Sequence, residues 1–129
     1  MMQAGGPLKI LVTGGREYSN RPFVFAALDH VHHARGISLV IHGAARGADT
    51  IAGEWDASRR VEQMPFPISP EEWRRLGLVA GPMRNHRMLL IGKPDGVIAF
   101  RGGAGTADQV RRSILEGVPV WDLRQHPKA

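Results

Sequence analysis

The chain has 129 residues, of which 43% are hydrophobic and 22% charged, and a formal charge of +5. These are the proportions of one ordinary globular domain, expected over residues 1–129 with its core from about 8 to 123. With no cysteine, disulfides, thiolate catalysis and Cys-ligated zinc are excluded. Aromatic residues, at 6%, are too few for an extended base-stacking platform. The cations are arginine except for Lys9, Lys93 and Lys128, and they are spread along the chain. Guanidinium groups suit an anionic ligand because they bind phosphate and carboxylate bidentately.

The start, Met1 to Pro7, lacks a basic region followed by an apolar stretch, so it does not read as a signal peptide. No segment is long and apolar enough to span a membrane. A cytoplasmic setting is the expectation.

Lys9–Thr13 reads as a first buried strand, ending in Gly14-Gly15-Arg16. Pro22–Ala34 follows as a helix, with Phe23, Ala27, Leu28 and Val31 at helical spacing and Gly36 as its stop. Leu39–His42 is a second strand, ending in Gly43-Ala44-Ala45-Arg46-Gly47. A helix runs from Ala48 to about Arg60, then Val61–Phe66 forms a third strand bounded by Pro65 and Pro67. Ser69, Pro70 and Glu72 open a short helix as cap, first-turn proline and capping-box partner, and it ends near Gly77. Gly81-Pro82 punctuates the chain again, and Met83–Ile91 is the next helix. The strand Gly96–Phe100, the helix Thr106–Glu116 and a final strand Pro119–Leu123 complete the pattern, leaving a polar tail from Arg124 to Ala129 that is expected to be loose.

Strands alternating with helices predict an α/β fold, a five-stranded parallel sheet with helices on both faces. Right-handed crossovers put every strand's carboxyl end on one edge. The expected order is 3-2-1-4-5, with a switch point between the strands at Ile10 and Val97, where ligands of such sheets bind.

That topology gathers three glycine-rich turns. Gly14-Gly15-Arg16, Gly43 to Asp49, and Gly102-Gly103-Ala104-Gly105-Thr106 all follow strand ends. Glycine there lets backbone N–H groups and a helix N-terminus approach an anion. The last turn has no Gly-Lys-Ser/Thr, and Asp108 stands where the third glycine of a dinucleotide fingerprint would be. Arg16 and Arg46 accompany two of the turns, and Ala80 to Asn85 brings Arg84 and Asn85 toward the same edge. Asp49 acts as a catalytic acid, accepts from a ribose hydroxyl, or only steadies the first turn of its helix. Thr106 is expected both to donate to phosphate and to cap its helix. Glu17 reaches the crevice or pairs with Arg16 at the surface. Trp55 and Trp73 stack on a base or pack against the sheet, packing being favoured. The six histidines show no metal-ligand spacing, and His32-His33 reads as a solvated face. No metal or cofactor is implied.

Together these residues resemble the SLOG superfamily and, within it, the YspA-like family. The resemblance runs from Ile10 to about Val120. It rests on Ile10 to Tyr18, His42 to Asp49, Trp55, Ala80 to Asn85 and Phe100 to Asp108. It implies a Rossmann-like domain that binds a nucleotide or nucleotide-derived small molecule as sensor or effector, in a homodimer or larger assembly. It implies ligand contacts from Gly14, Gly15, Arg16, Gly43, Arg46, Gly47, Asp49, Arg84, Asn85, Gly102, Gly103, Gly105 and Thr106. Two branches supply alternatives. The phosphoribohydrolases, which cleave the glycosidic bond of nucleoside 5′-monophosphates, carry Pro-Gly-Gly-x-Gly-Thr-x-x-Glu and an upstream arginine. Here Arg84 matches that arginine, Arg101 replaces the proline and Gln109 replaces the glutamate. An amide cannot stabilise oxocarbenium character, so that chemistry would need Asp108, or Asp49 or Glu17 from a neighbouring loop, beside Arg84. The second branch, DNA-processing proteins, makes single-stranded nucleic acid the other possible partner.

Overall fold

The computed structural model describes residues 6–126. Five parallel strands form one sheet: β1 (Leu8–Thr13), β2 (Ile37–His42), β3 (Glu62–Pro65), β4 (Gly96–Ala99) and β5 (Val120–Asp122). Their order is β3-β2-β1-β4-β5, the doubly wound arrangement expected from the alternation of elements. The register pairs Leu11 with Ile41 on one side and with Val97 on the other. The five α-helices are α1 (Arg21–Ala34), α2 (Ala48–Arg59), α3 (Pro70–Leu76), α4 (Ala80–Gly92) and α5 (Ala104–Leu115).

The period-2 pattern of the central strands divides the core. Ile10, Val12, Val40 and Ile98 join Val24, Leu28, Ala52 and Trp55 under α1 and α2. Leu11, Ile41 and Val97 point the other way, onto Met88 and Leu89 of α4. α1 packs on α2, and α4 on α5. No helix among the described residues is long and apolar enough to cross a membrane.

Three local readings are corrected. Gly81-Pro82 does not break the chain. A 3-10 turn, Gly77–Val79, leads directly into α4, and both residues lie in its first turn. Proline is tolerated there because the first N–H groups of a helix have no intrahelical partner. α5 starts at Ala104 with Gly103 as its N-cap, so Thr106 lies inside the first turn and caps nothing. His32 is not simply solvated: its Nδ1 accepts the Ile37 N–H at 2.9 Å, and its ring stands edge-on to Trp55. The capping box is present, with Ser69 and Glu72 bonding each other's N–H groups. The tail is held as far as it is described. Arg124 pairs with Asp122 at 2.8 Å, and Arg101 donates to the His126 carbonyl at 3.1 Å. Residues 127–129 of the expected loose tail, and residues 1–5 at the other end, lie outside the described part.

Candidate functional site

The glycines at the carboxyl edge divide into two kinds. Gly15 donates its N–H to the Arg101 carbonyl at 2.9 Å, joining the turn after β1 to the turn after β4. A Cβ on Gly102 would run into the Gly15 nitrogen and the Thr106 hydroxyl. Gly47, at φ +77°, leaves no space for a side chain against the Gly15 carbonyl, and that carbonyl also accepts the Ala48 N–H. These positions are glycine because backbone packs on backbone. Gly103 and Gly105 differ: a Cβ on either would meet no atom within 4 Å. Both border an open cleft of about 600 Å³.

That cleft lies over the carboxyl ends of β1, β2 and β4. Its floor is the first turn of α5, with Gly103, Gly105 and Thr106. No side chain caps α5, so its leading N–H groups remain available to an anion, aided by the helix dipole. Part of its wall is apolar, made by Trp73, Leu78, Pro82 and Met88. Part is polar, made by Asp49, Arg84, Asn85 and Asp108.

The polar wall is built around Gly43. Asp49, in the first turn of α2, accepts the N–H groups of Gly43 at 3.0 Å and Ala45 at 3.2 Å, both on Oδ2. Arg84 donates through Nη1 to the carbonyls of Gly43 and Phe66. Burial raises the Asp49 pKa above the ordinary carboxylate range against the pull of those N–H groups, His42 and Arg84. Burial lowers that of Arg84, and Asp49 opposes the change. Asn85 donates to the Gly105 carbonyl at 3.1 Å and to Asp108 Oδ2 at 3.0 Å, tying α4 to the α5 first turn. Burial pushes the Asp108 carboxyl up, but hydrogen bonds from Asn85 and Arg112, with the charges of Arg112 and Arg111, hold it below its usual value. Gln109 is fully buried. Its Nε2 donates to the Asn85 carbonyl at 3.3 Å and its Oε1 has no partner.

A sequence profile of the YspA, cpYpsA-related SLOG family matches residues 8–75. The gene 61 protein of Mycobacterium phage D29 is 36% identical over 126 residues, covering 92% of this chain and 98% of the phage protein. The chain belongs to the YspA, cpYpsA-related SLOG family. DNA processing protein A of Streptococcus pneumoniae has a similar structure, with a TM-score of 0.72 at 20% identity. The likeness covers 91% of this chain but only 50% of that protein, and at that identity it is a likeness of fold.

For this SLOG domain the structure brings together at the cleft Gly14, Gly15, Arg16, Gly43, Asp49, Arg84, Asn85, Gly103, Gly105, Thr106 and Asp108. Three expected members lie elsewhere. Arg46 lies outside the cleft lining and pairs with Glu17 at 3.3 Å, both largely exposed, so Glu17 pairs with Arg46 rather than with Arg16. Gly47 faces a shallow surface beside Arg46, and Gly102 faces a smaller depression shared with Tyr18 and Arg101. Trp55 is core, with its Nε1 donating to Asp29 at 2.9 Å. Trp73 is the tryptophan that lines the cleft, 37% exposed. Leu78 and Pro82 also line the cleft, outside the expected ligand contacts. Pro82 lies within the Ala80 to Asn85 segment already directed to this edge, and for Leu78 the signal is an apolar pair, Leu78-Val79, that fits no helical stripe.

Proposed function

We propose that the cleft binds a nucleotide or nucleotide-derived phosphorylated molecule and that the chain acts as a cytoplasmic sensor or effector of it. The carrying observation is the pair Gly103 and Gly105, glycines that no protein atom within 4 Å requires, at the uncapped start of α5. A side chain there would cost the fold nothing but would block an anion from the backbone N–H groups. The phosphate lies against Gly103, Gly105 and Thr106, with Arg16 and Arg84 nearby, and Asp49 addresses a ribose hydroxyl through Oδ1. Its hydrogen bonds among the described residues leave that oxygen free.

A second reading, cleavage of a nucleoside 5′-monophosphate, is supported by one observation. Asp108, not Gln109, borders the cleft, and its partners favour the ionised carboxylate that oxocarbenium character needs. A one-dimensional proton NMR time course with nucleoside monophosphates, NAD, ADP-ribose and cyclic nucleotides separates the readings. Line broadening without new signals establishes a binder. Free-base and anomeric signals that grow with time establish the hydrolase. If nothing in the panel binds while an oligonucleotide does, with affinity falling steeply in salt, the nucleotide reading gives way to a nucleic-acid module. The fold shared with a DNA processing protein makes that the natural third outcome.

We further propose a homodimer. Leu90 and Ile91 end α4, Ile114 and Leu115 end the adjacent α5, and all four are more than half exposed. An apolar face of that kind is covered by a second copy in many symmetric dimers.

A further inference from the structure

The apolar wall of the cleft carries a more specific assignment, which rests on the nucleotide reading above. Three tryptophans are present. Trp55 is fully buried, and Trp121 lies on β5 beside His30. Trp73 alone among them borders the cleft. Its position is held from two sides. The Ser69–Glu72 capping box fixes the start of α3, and Glu72 pairs with Arg87 of α4 at 3.5 Å. Leu78, 93% exposed, and Pro82 continue the same wall.

The Arg16 guanidinium lies over the Trp73 ring, 5.4 Å from its centroid. A flat cation is therefore already seated on the face that a planar base would use. That spacing leaves no room for a base between them, because two successive stacking contacts need roughly 7 Å. A base can take the face only by displacing the guanidinium, and the displaced Arg16 then remains at the cleft rim with an anion within its reach.

We propose that Trp73, with Leu78 and Pro82, is a base subsite for a purine nucleotide, and that Arg16 exchanges the Trp73 face for the ligand's phosphate when the base docks. A purine is favoured over a pyrimidine because the wall offers apolar area rather than hydrogen-bonding groups, and the larger ring system covers more of it.

The test is calorimetric titration of the wild type, Trp73→Ala and Trp73→Phe with AMP, UMP and ribose 5-phosphate. AMP should bind the wild type more tightly than UMP. Trp73→Ala should weaken AMP about tenfold or more while changing ribose 5-phosphate by less than about twofold. Trp73→Phe, which keeps an aromatic face and the helix, should recover most of the AMP affinity. Unchanged AMP affinity in Trp73→Ala overturns the base subsite and leaves the phosphate site standing. Equal loss of AMP and ribose 5-phosphate also overturns it, since a purely structural role moves both. If neither AMP nor ribose 5-phosphate binds the wild type, the purine subsite falls, and the nucleotide reading falls with it only if no member of the NMR panel binds.

Discussion

Asp49 and Arg84 hold the same residue from its two polar ends. Asp49 Oδ2 accepts the N–H of Gly43 at 3.0 Å, and Arg84 Nη1 donates to the Gly43 carbonyl. The turn after β2 is thus clamped by a carboxylate from α2 and a guanidinium from α4. A Cβ on Gly43 would run into the Arg84 guanidinium and crowd Asp49 Oδ2. The clamp fixes the polar wall before any ligand arrives, which is the preorganisation a selective site needs.

Asp49→Ala removes the acceptor of two backbone N–H groups inside the protein. The expected loss is about 2–4 kcal/mol of unfolding free energy by chemical denaturation. Asp49→Asn keeps an acceptor oxygen and should cost less than half as much. If both variants unfold with the wild type, the clamp has no structural role.

Gly105→Ala separates binding from folding. The added methyl meets no protein atom within 4 Å and lies within α5, so thermal stability should be unchanged or higher by about 0.5 kcal/mol. AMP affinity, read by calorimetry, should fall about tenfold or more as the backbone N–H groups are screened. Retained affinity removes the α5 turn from the anion site.

Gln109→Glu puts the carboxyl of the phosphoribohydrolase pattern at its sequence position, but not at the cleft. The side chain is fully buried, and the change removes the donor to Asn85. Stability should drop by about 2–4 kcal/mol, with no gain in nucleotide cleavage by NMR. Cleavage by this variant would mean that residue 109 can reach the ligand.

Asp56 sets a pH dependence. Its two carboxyl oxygens are buried without partners, and burial pushes its pKa up to about 8. The folded value lies above the unfolded one, about 3.9. The native state therefore keeps its proton while the unfolded chain loses it. Stability from this group is full below about pH 4 and falls as pH rises toward 8, by up to about 1.4 kcal/mol per pH unit. Asp56→Asn cannot ionise, so its melting temperature should exceed the wild type's by a margin that grows from pH 5 to pH 8. Parallel melting curves across that range would rule the buried, protonated carboxyl out.

Leu115→Glu places a charge on the exposed apolar face at the end of α5. Sedimentation should show a monomer at concentrations where the wild type is a dimer, with the fold intact. A wild type that sediments as a monomer disposes of the homodimer.

The sheet order and most element positions were legible in the sequence because their causes are local. β1 is a run of apolar residues bounded by Gly14-Gly15, and α3 announces itself through Ser69, Pro70 and Glu72. Alternating strands and helices then leave few topologies. Helix starts were less legible. Gly103 caps α5 with no side chain, and α4 emerges from a 3-10 turn, so neither start carries a polar cap to read.

By itself the sequence determined the doubly wound sheet, the family and the gathering of glycine-rich turns on one edge. Periodicity and turn chemistry act over a few residues at a time, and crossover handedness over one strand–helix–strand unit. Only the tertiary structure decided which of two neighbours serves the cleft. Asp108 borders it and Gln109 is buried against α4, although consecutive helix positions differ only by a rotation of about 100°. It also decided that Gly47 and Gly102 serve the packing of turns while Gly103 and Gly105 face open space. It left Arg46 outside the cleft lining, made Trp55 core and set Trp73 at the cleft. Those outcomes depend on how far one turn or helix lies from the next, and that distance is set by the packing of side chains remote in sequence.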